Sequence, residues 1–402
     1  MRVLHGVTGQ AGQPQAIAAG LRQIGIQAET CFIGEHRFGY PADIMLALDD
    51  ARTLEDAWAR IAPLAQRFDV FHFHARSFLA NWPDAAYPAG LDIALLKLTG
   101  RKVFFHFRGQ EARLASEFAA KNAYHYVDDA SGYLFRKMPD ATKVRLRDYI
   151  TGLCDGVFVT DPELQSYVPG ARIVPRALDG STIPYVGVSD SKCPVVVHAP
   201  SRRGVKGTEA LIAACRQLEA EGHVFELRLV ENMPHSRAIE AYRDASIIVD
   251  QLRIGWYGVL AVEAMALGKP VIAHIRPDLL SDGLPVVDAN PHTIGAVLKG
   301  LLNDFDRRQH LSRAGRTYFE QTHECVTVAR NLAELYSAPS TLVDPSGLAR
   351  LLDYERVVST PAIAGGETAS RIRHFFDIAR SEGMGNAIAL ARRFVARQLW
   401  KR

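Results

Sequence analysis

A chain of 402 residues, 48% apolar and 23% charged, is long enough for two domains of ordinary size, each with its own core. Its 47 basic and 44 acidic side chains leave a formal net charge of +3, with no long block of like charge, so nothing points to a nucleic-acid partner. Five scattered cysteines (Cys31, Cys154, Cys193, Cys215, Cys325) form no Cys-x-x-Cys pair, which argues against a disulfide framework or a zinc site and predicts a reducing, cytoplasmic setting. Met1-Arg2-Val3-Leu4-His5-Gly6 shows no basic run followed by a long apolar segment, and no stretch approaches the roughly 18 to 20 apolar residues that span a bilayer.

Up to about residue 180, short apolar runs alternate with helical patterns, the signal of a parallel α/β sheet. The expected strands are Arg2 to Leu4, Thr30 to Ile33, Val70 to Phe73, Lys102 to Phe107, Gly156 to Val159 and Arg172 to Val174. The first runs into a glycine loop with Gly6, Gly9 and Gly12, and then a helix from about Gln15 to Gly20. Glycines three apart do not make the Gly-x-Gly-x-x-Gly dinucleotide fingerprint, so hydride transfer is disfavoured. The loop still faces the crevice of an open sheet. His72 and His74 fall on one face of their strand, and two histidines without a third ligand read as structural rather than as a metal site. His74 is the better functional candidate because it ends the strand. Val103 to Glu111 repeats the form: an apolar strand, then His106 and Arg108 where the chain leaves the sheet. Arg108 and Arg113 either bind an acidic group or pair with Glu111 and Glu117.

In the second half, Pro194 to His198 is a buried strand, followed by the loop Ala199 to Thr208 and a helix to about Glu221, with Thr208 expected as its N-cap. Arg202, Arg203 and Lys206 at this helix start offer what a diphosphate needs: charge, planar donors and free backbone amides. The loop is not a Gly-x-x-x-x-Gly-Lys-Ser/Thr P-loop. Phe225 to Val230, Ile247 to Val249, Val271 to Ile275 and Leu284 to Val287 are the remaining strands, and helices fill Asp306 to Tyr336. Gly255 to Ala273 reads as a glycine loop, a short helix closed by Gly268 and stopped by Pro270, and a buried strand. Glu263 sits among Val259, Leu260 and Leu267 on the apolar side of that helix, so its carboxylate needs donors.

This stretch resembles the signature of retaining GT-B glycosyltransferases, family 4 in particular: Glu, seven intervening residues, Glu, then Ala-Met-Ala, Gly and Pro-Val-Ile-Ala. Glu263 matches the second Glu, while Gly255 stands in place of the first. The resemblance implies an α/β GT-B fold of two Rossmann-like, doubly wound parallel-sheet domains facing a cleft, with a helical C-terminal extension. It divides the chain into an acceptor domain (1–180), a nucleotide-sugar donor domain (181–336) and a linker with a basic helical tail (337–402). The turn Pro175-Arg176-Ala177-Leu178-Asp179 resembles the family's Pro-Asn-Gly turn at the end of the first domain.

The family roles, carried over, put Glu263 on the nucleotide ribose and Lys206 with Arg202 on the leaving diphosphate. Gly258 and Val259 would offer the helix start to the same charge, and Arg203 adds a second guanidinium. His106 would lie beside the donor sugar, with Gly9 and Gly12 bordering the diphosphate and His74 and Arg108 on the acceptor side. Asp250 and Gln251 are candidates for the sugar contacts that the missing first Glu would make. The resemblance implies a metal-independent transfer from a nucleotide sugar, with retention, to a glycan, lipid-linked or protein acceptor, in surface polysaccharide or glycolipid synthesis. From Gly383 onward five basic residues (Arg392, Arg393, Arg397, Lys401, Arg402) alternate with apolar ones and no acidic residue occurs. That pattern fits either an anionic membrane surface, at the inner face of the cell membrane, or packing on the first domain. A nucleotide-sugar epimerase, or a non-catalytic relative that binds nucleotide or protein, remains as an alternative.

Overall fold

The computed structural model describes residues 1–34, 40–48, 51, 54–79, 90–136 and 138–340. Of the linker and basic tail expected over 337–402, everything from residue 341 onward lies outside them, and so does the membrane reading. No helix among the described residues is long and apolar enough to cross a membrane.

Two all-parallel sheets organise the chain. The first contains β1 (Arg2–Val7), β2 (Gln27–Phe32), β3 (Ile44–Met45), β4 (Val70–His74), β5 (Lys102–Phe107), β6 (Gly156–Val159) and β7 (Arg172–Ile173), in the order β3-β2-β1-β4-β5-β6-β7. The second contains β8 (Val195–His198), β9 (Glu226–Leu229), β10 (Ile247–Val249), β11 (Val271–Ala273) and β12 (Val286–Asp288), in the order β12-β11-β10-β8-β9. β10 and β11 read Ile-Ile-Val and Val-Ile-Ala and are wholly buried, as central strands covered on both faces must be. β5, β6 and β10 fall where the apolar runs place them. β3 has only two residues at a sheet edge, too few for an alternating pattern to announce it.

Strand order reverses between β1 and β4 in one sheet and between β8 and β10 in the other. At such a point the connections leave in opposite directions and open a crevice beyond the carboxyl ends of the strands. The loop after β1 carries the glycines, the loop after β8 carries Arg202 to Lys206, and the loop after β10 carries Asp250 and Gln251.

The chain passes between the two sheets twice, side by side. Leu178 N–H donates to the His323 carbonyl at 2.9 Å and Cys325 N–H to the Leu178 carbonyl at 3.0 Å. The last helix among the described residues, Cys325–Ser337, then packs on Gln13–Gln23 and buries Val328, Leu332 and Tyr336 against Ile17 and Leu21 of the first half. Contact is so close at Gly20 that an added Cβ would stand 2.2 Å from the Cys325 carbonyl oxygen. Burying such side chains contributes roughly 1.5–3 kcal/mol each, which ties the chain's two halves together.

Candidate functional site

β8 ends in His198, which is buried and bonded on both ring nitrogens, to the Val249 carbonyl (2.7 Å) and to the Thr208 hydroxyl (2.8 Å). Burial pushes this histidine down to about 4, so it stays a neutral brace for the loop. Arg202 precedes a single helical turn, Arg203–Lys206, and Gly207 takes a left-handed φ of 77° before the Thr208–Ala220 helix. Thr208 is therefore not the N-cap expected from sequence. It is the first helical residue, Gly207 occupies the cap, and the hydroxyl serves His198. Arg203 is held by Glu231 through Nε (3.0 Å) and Nη2 (2.6 Å), whereas Arg202 is exposed at the cavity described below.

Lys206 Nζ donates to Asp250 Oδ1 at 2.8 Å and to Gln251 Oε1 at 2.6 Å. The other Asp250 oxygen accepts the Gly258 N–H at the start of the Val259–Leu267 helix, and Gln251 Nε2 donates to the Trp256 carbonyl. Asp250 and Gln251 are thus buried beneath Lys206, with their polar atoms spent on positioning it. A side chain at Gly258 would press on this arrangement, since an added Cβ would lie 3.0 Å from Asp250 Oδ2 and 3.2 Å from Lys206 Nζ. Gly255, in place of the motif's first Glu, has φ 96°, and a Cβ there would meet the Arg276 side chain at 3.0 Å. A carboxylate-bearing residue there would strain the backbone and push the Arg276 side chain aside.

Glu263 lies one turn into the helix, is 4% exposed, and accepts a hydrogen bond on Oε1 from His235 Nε2 at 2.6 Å. His235 begins the His235–Arg243 helix just past β9. That hydrogen bond, more than any other influence, raises the His235 pKa above its ordinary value, against the opposing effect of burial. The ring of Tyr40, from the first half of the chain, stands 5.4 Å from the His235 ring. A cavity of about 470 Å³ opens here, lined by Arg202, Arg203, Lys206, Val259, His235 and Glu263 on one side and by Ala11 and Tyr40 on the other. Its size suits one small-molecule ligand. The glycine loop reaches it through Ala11. Gly9 has an ordinary helical φ of −67°, while Gly12, at φ 77°, lets the Tyr40 ring approach, since a Cβ there would come within 3.0 Å of it.

His74, His106 and Arg108 lie elsewhere, in a buried layer between the first sheet and the Cys325–Ser337 helix. The register aligns His5 with His72 and His74 with His106 across β1, β4 and β5. All four histidines are 0% exposed, and the His72 and His106 rings stack at 5.5 Å. Arg108 Nε (3.1 Å) and Nη2 (2.7 Å) both face His74 Nδ1. That nitrogen must accept, so His74 carries its proton on Nε2 and donates it to His5 Nδ1 at 3.0 Å. Burial is the main force lowering all four pKa values, with Arg108 contributing to each; His5 falls to about 3.

His5 supplies the third histidine that the sequence reading lacked, and the ligand atoms of His5, His72 and His74 lie within 4.8 Å of one another. The set nevertheless does not fit a cation. A metal on His74 Nε2 would require a proton on Nδ1, where two guanidinium donors already point. Arg108 also reaches Gln13 Oε1 at 3.3 Å, and Gln13 clamps Ala177 through both its backbone groups, so this layer fastens the glycine loop to the turn that ends the first half. Arg113 pairs not with Glu111 or Glu117 but with the buried Glu163, its Nη2 at 2.7 Å from Oε2.

Tyr40, Glu231, His235 and Arg253 were not singled out from sequence. Arg253, just after Leu252, donates to the Tyr124 and His125 carbonyls and to Asp129 at 2.6 Å in the first half, and to the Gly204 carbonyl at 2.9 Å in the basic loop. It is a joint between the domains at the edge of the site. Only Glu231 offered a signal: a titratable residue at the carboxyl end of the expected strand Phe225 to Val230, where the crevice opens.

No family model matches the chain, and no curated protein matches it. Among solved structures, the UDP-glucose complex of Alr3699/HepE from Anabaena is similar with a TM-score of 0.55 at 13% identity, over 84% of this chain and 99% of that one. Sucrose-phosphate synthase from Thermosynechococcus elongatus gives 0.53 at 14% identity, over 84% and 98%. An α-glucosyltransferase bound to UDP and a 13-mer DNA containing an HMU base gives 0.52 at 8% identity, over 84% and 100%. Identities this low speak for the fold alone. With two parallel sheets meeting at one cavity, they establish that the chain has the GT-B fold, two Rossmann-like domains facing a cleft.

Proposed function

We propose that the protein is a glycosyltransferase that moves a sugar from a nucleotide-diphosphate sugar to an acceptor hydroxyl. One observation carries the reading: Arg202, Lys206, Val259 and Glu263, chosen from sequence for a diphosphate and a ribose, line a single cavity of nucleotide size at the β8/β10 switch point. Lys206 and Arg202 would stabilise the charge developing on the leaving diphosphate, and Glu263 would accept hydrogen bonds from the ribose hydroxyls. Asp250 and Gln251 fix the Lys206 ammonium in place, which makes them positioning residues rather than sugar ligands.

The resemblance to family 4 supports retention at the anomeric carbon and transfer without a metal, with a cationic loop doing a metal's electrostatic work. It also motivates a glycan, lipid-linked or protein acceptor in surface polysaccharide or glycolipid synthesis. Gly255 favours a second reading, a relative that binds nucleotide without turning it over, because nothing at that position can touch the sugar. Incubation with nucleotide sugars and mixed acceptors distinguishes the two. Acceptor-dependent release of nucleoside diphosphate, with glycosylated product, supports transfer; binding without release supports the second reading; and donor consumption without acceptor would indicate an epimerase.

A further inference from the structure

His235 occupies Glu263 in the structure, at the carboxylate assigned above to the ribose. We propose that His235 is a proton-controlled competitor for Glu263: the nucleotide takes the carboxylate only as the imidazole lets go of it, so donor binding expels a proton. The inference rests on the donor-site reading and adds a regulation to it.

Its basis is geometric. His235 Nε2 is 2.6 Å from Glu263 Oε1, and both side chains line the same cavity. The carboxylate is 5% exposed, whereas the imidazole is 30% exposed and stands at the first residue of its helix, where it can swing outward without unpacking a core. A hydrogen-bonded ion pair in a half-enclosed pocket is stronger than one in water, so a hydroxyl cannot displace the charged imidazole without cost. The neutral ring has a weaker hold. The other ionisable groups at this cavity are Arg202, Arg203 and Lys206 on the basic loop, Glu231 after β9, Tyr242 on the same helix as His235, and Tyr40 from the first domain. Glu231 is committed to Arg203, and Lys206 to Asp250. Burial raises the Tyr242 hydroxyl further above its ordinary value, and Tyr40 is raised likewise, first by burial and then by Glu263, so both stay neutral. His235 is therefore the group facing Glu263 that changes charge near neutrality.

The sign follows directly. Pairing with Glu263 raises the imidazole above its ordinary value in the free protein; once the ribose holds Glu263, the displaced ring returns toward about 6.5. Between those two values, binding releases a proton and affinity increases with pH by up to about tenfold per unit.

The test is calorimetric titration of the full chain with UDP-glucose, GDP-mannose and ADP-glucose, whose esterified phosphates do not titrate near neutrality. Each is measured at pH 6, 7 and 8 in two buffers of different ionisation enthalpy, on wild type and His235→Gln. Expected are net proton release by wild type within the window, tighter binding by the variant at pH 6, and no release by the variant. Binding by wild type without proton release, or weaker binding by His235→Gln at every pH, would overturn the competition and leave the donor site standing. If folded wild type and folded variant bind none of the three, both the competition and the donor-site reading fall.

Discussion

The buried layer of the first domain and the cavity of the second treat histidine in opposite ways. In the first, His5, His72, His74 and His106 are sealed under the Cys325–Ser337 helix, kept neutral by burial and by Arg108. In the second, His235 stays partly exposed beside a carboxylate and is pushed toward the charged form. The first set lies within strands of a parallel sheet, near their carboxyl ends, and His235 lies in the segment after one. What separates them is what covers each group: an apolar helix and an arginine in one case, an open cavity and Glu263 in the other. A histidine at the end of a strand is thus no site by itself; its partner and its access to a cavity decide.

The sharpest way to break that contrast is acid. Each buried histidine binds a proton in the unfolded chain below about 6.5 but not in the fold until well below it, so stability is lost as pH falls, by roughly 1.4 kcal/mol per pH unit for each. His235 contributes with the other sign: its stabilisation is full below the ordinary value and is lost as pH rises through the raised one. Urea unfolding at pH 7 and pH 5 should show a drop of several kcal/mol, and a flat profile would mean that the first-domain layer is not held neutral. Next comes Glu163→Ala, which strands the buried Arg113 guanidinium and should cost about 3–5 kcal/mol of stability without altering nucleotide affinity in the protein that remains folded.

Lys206→Ala probes the other domain. It should weaken nucleoside diphosphate binding about tenfold to a hundredfold, the worth of a charge-assisted bond of about 1.5–3 kcal/mol, while nucleoside binding changes little. Equal loss of both would remove Lys206 from the phosphate role. The smallest effect expected is that of His106→Phe. Its buried ring nitrogens have no side-chain partner and only a loose approach to the Val159 backbone, and His72, His74 and Phe158 surround the ring, so a phenyl should be tolerated within about 1.5 kcal/mol at pH 7 while making acid unfolding shallower.

What sequence made legible was local. Apolar runs placed β5, β6 and β10, and Gly268, expected to close the Glu263 helix, has φ 72° at its end. Arg202, Lys206 and Glu263, singled out as the residue types that a diphosphate and a ribose would take at a helix start and on a buried helix face, line one cavity. The misses are matters of tertiary approach. Thr208 reads as a cap until His198 claims its hydroxyl; His5 becomes part of a cluster only when β1 lies beside β4, which brings it to His74 across 69 residues; and His235 meets Glu263 across 28. Gly255 was visible as a departure from the family pattern, but its reason, a left-handed backbone against Arg276, was not.

The central claim is that the cavity between Lys206 and Glu263 is a nucleotide-sugar site. Calorimetric titration of nucleotide sugars, with a chelator present, into wild type, Glu263→Gln and Glu263→Ala tests it most directly. Wild type is expected to bind one nucleotide class without added metal, and both variants to lose most of that affinity. Affinity unchanged in the variants, or no binding by folded wild type, would contradict it.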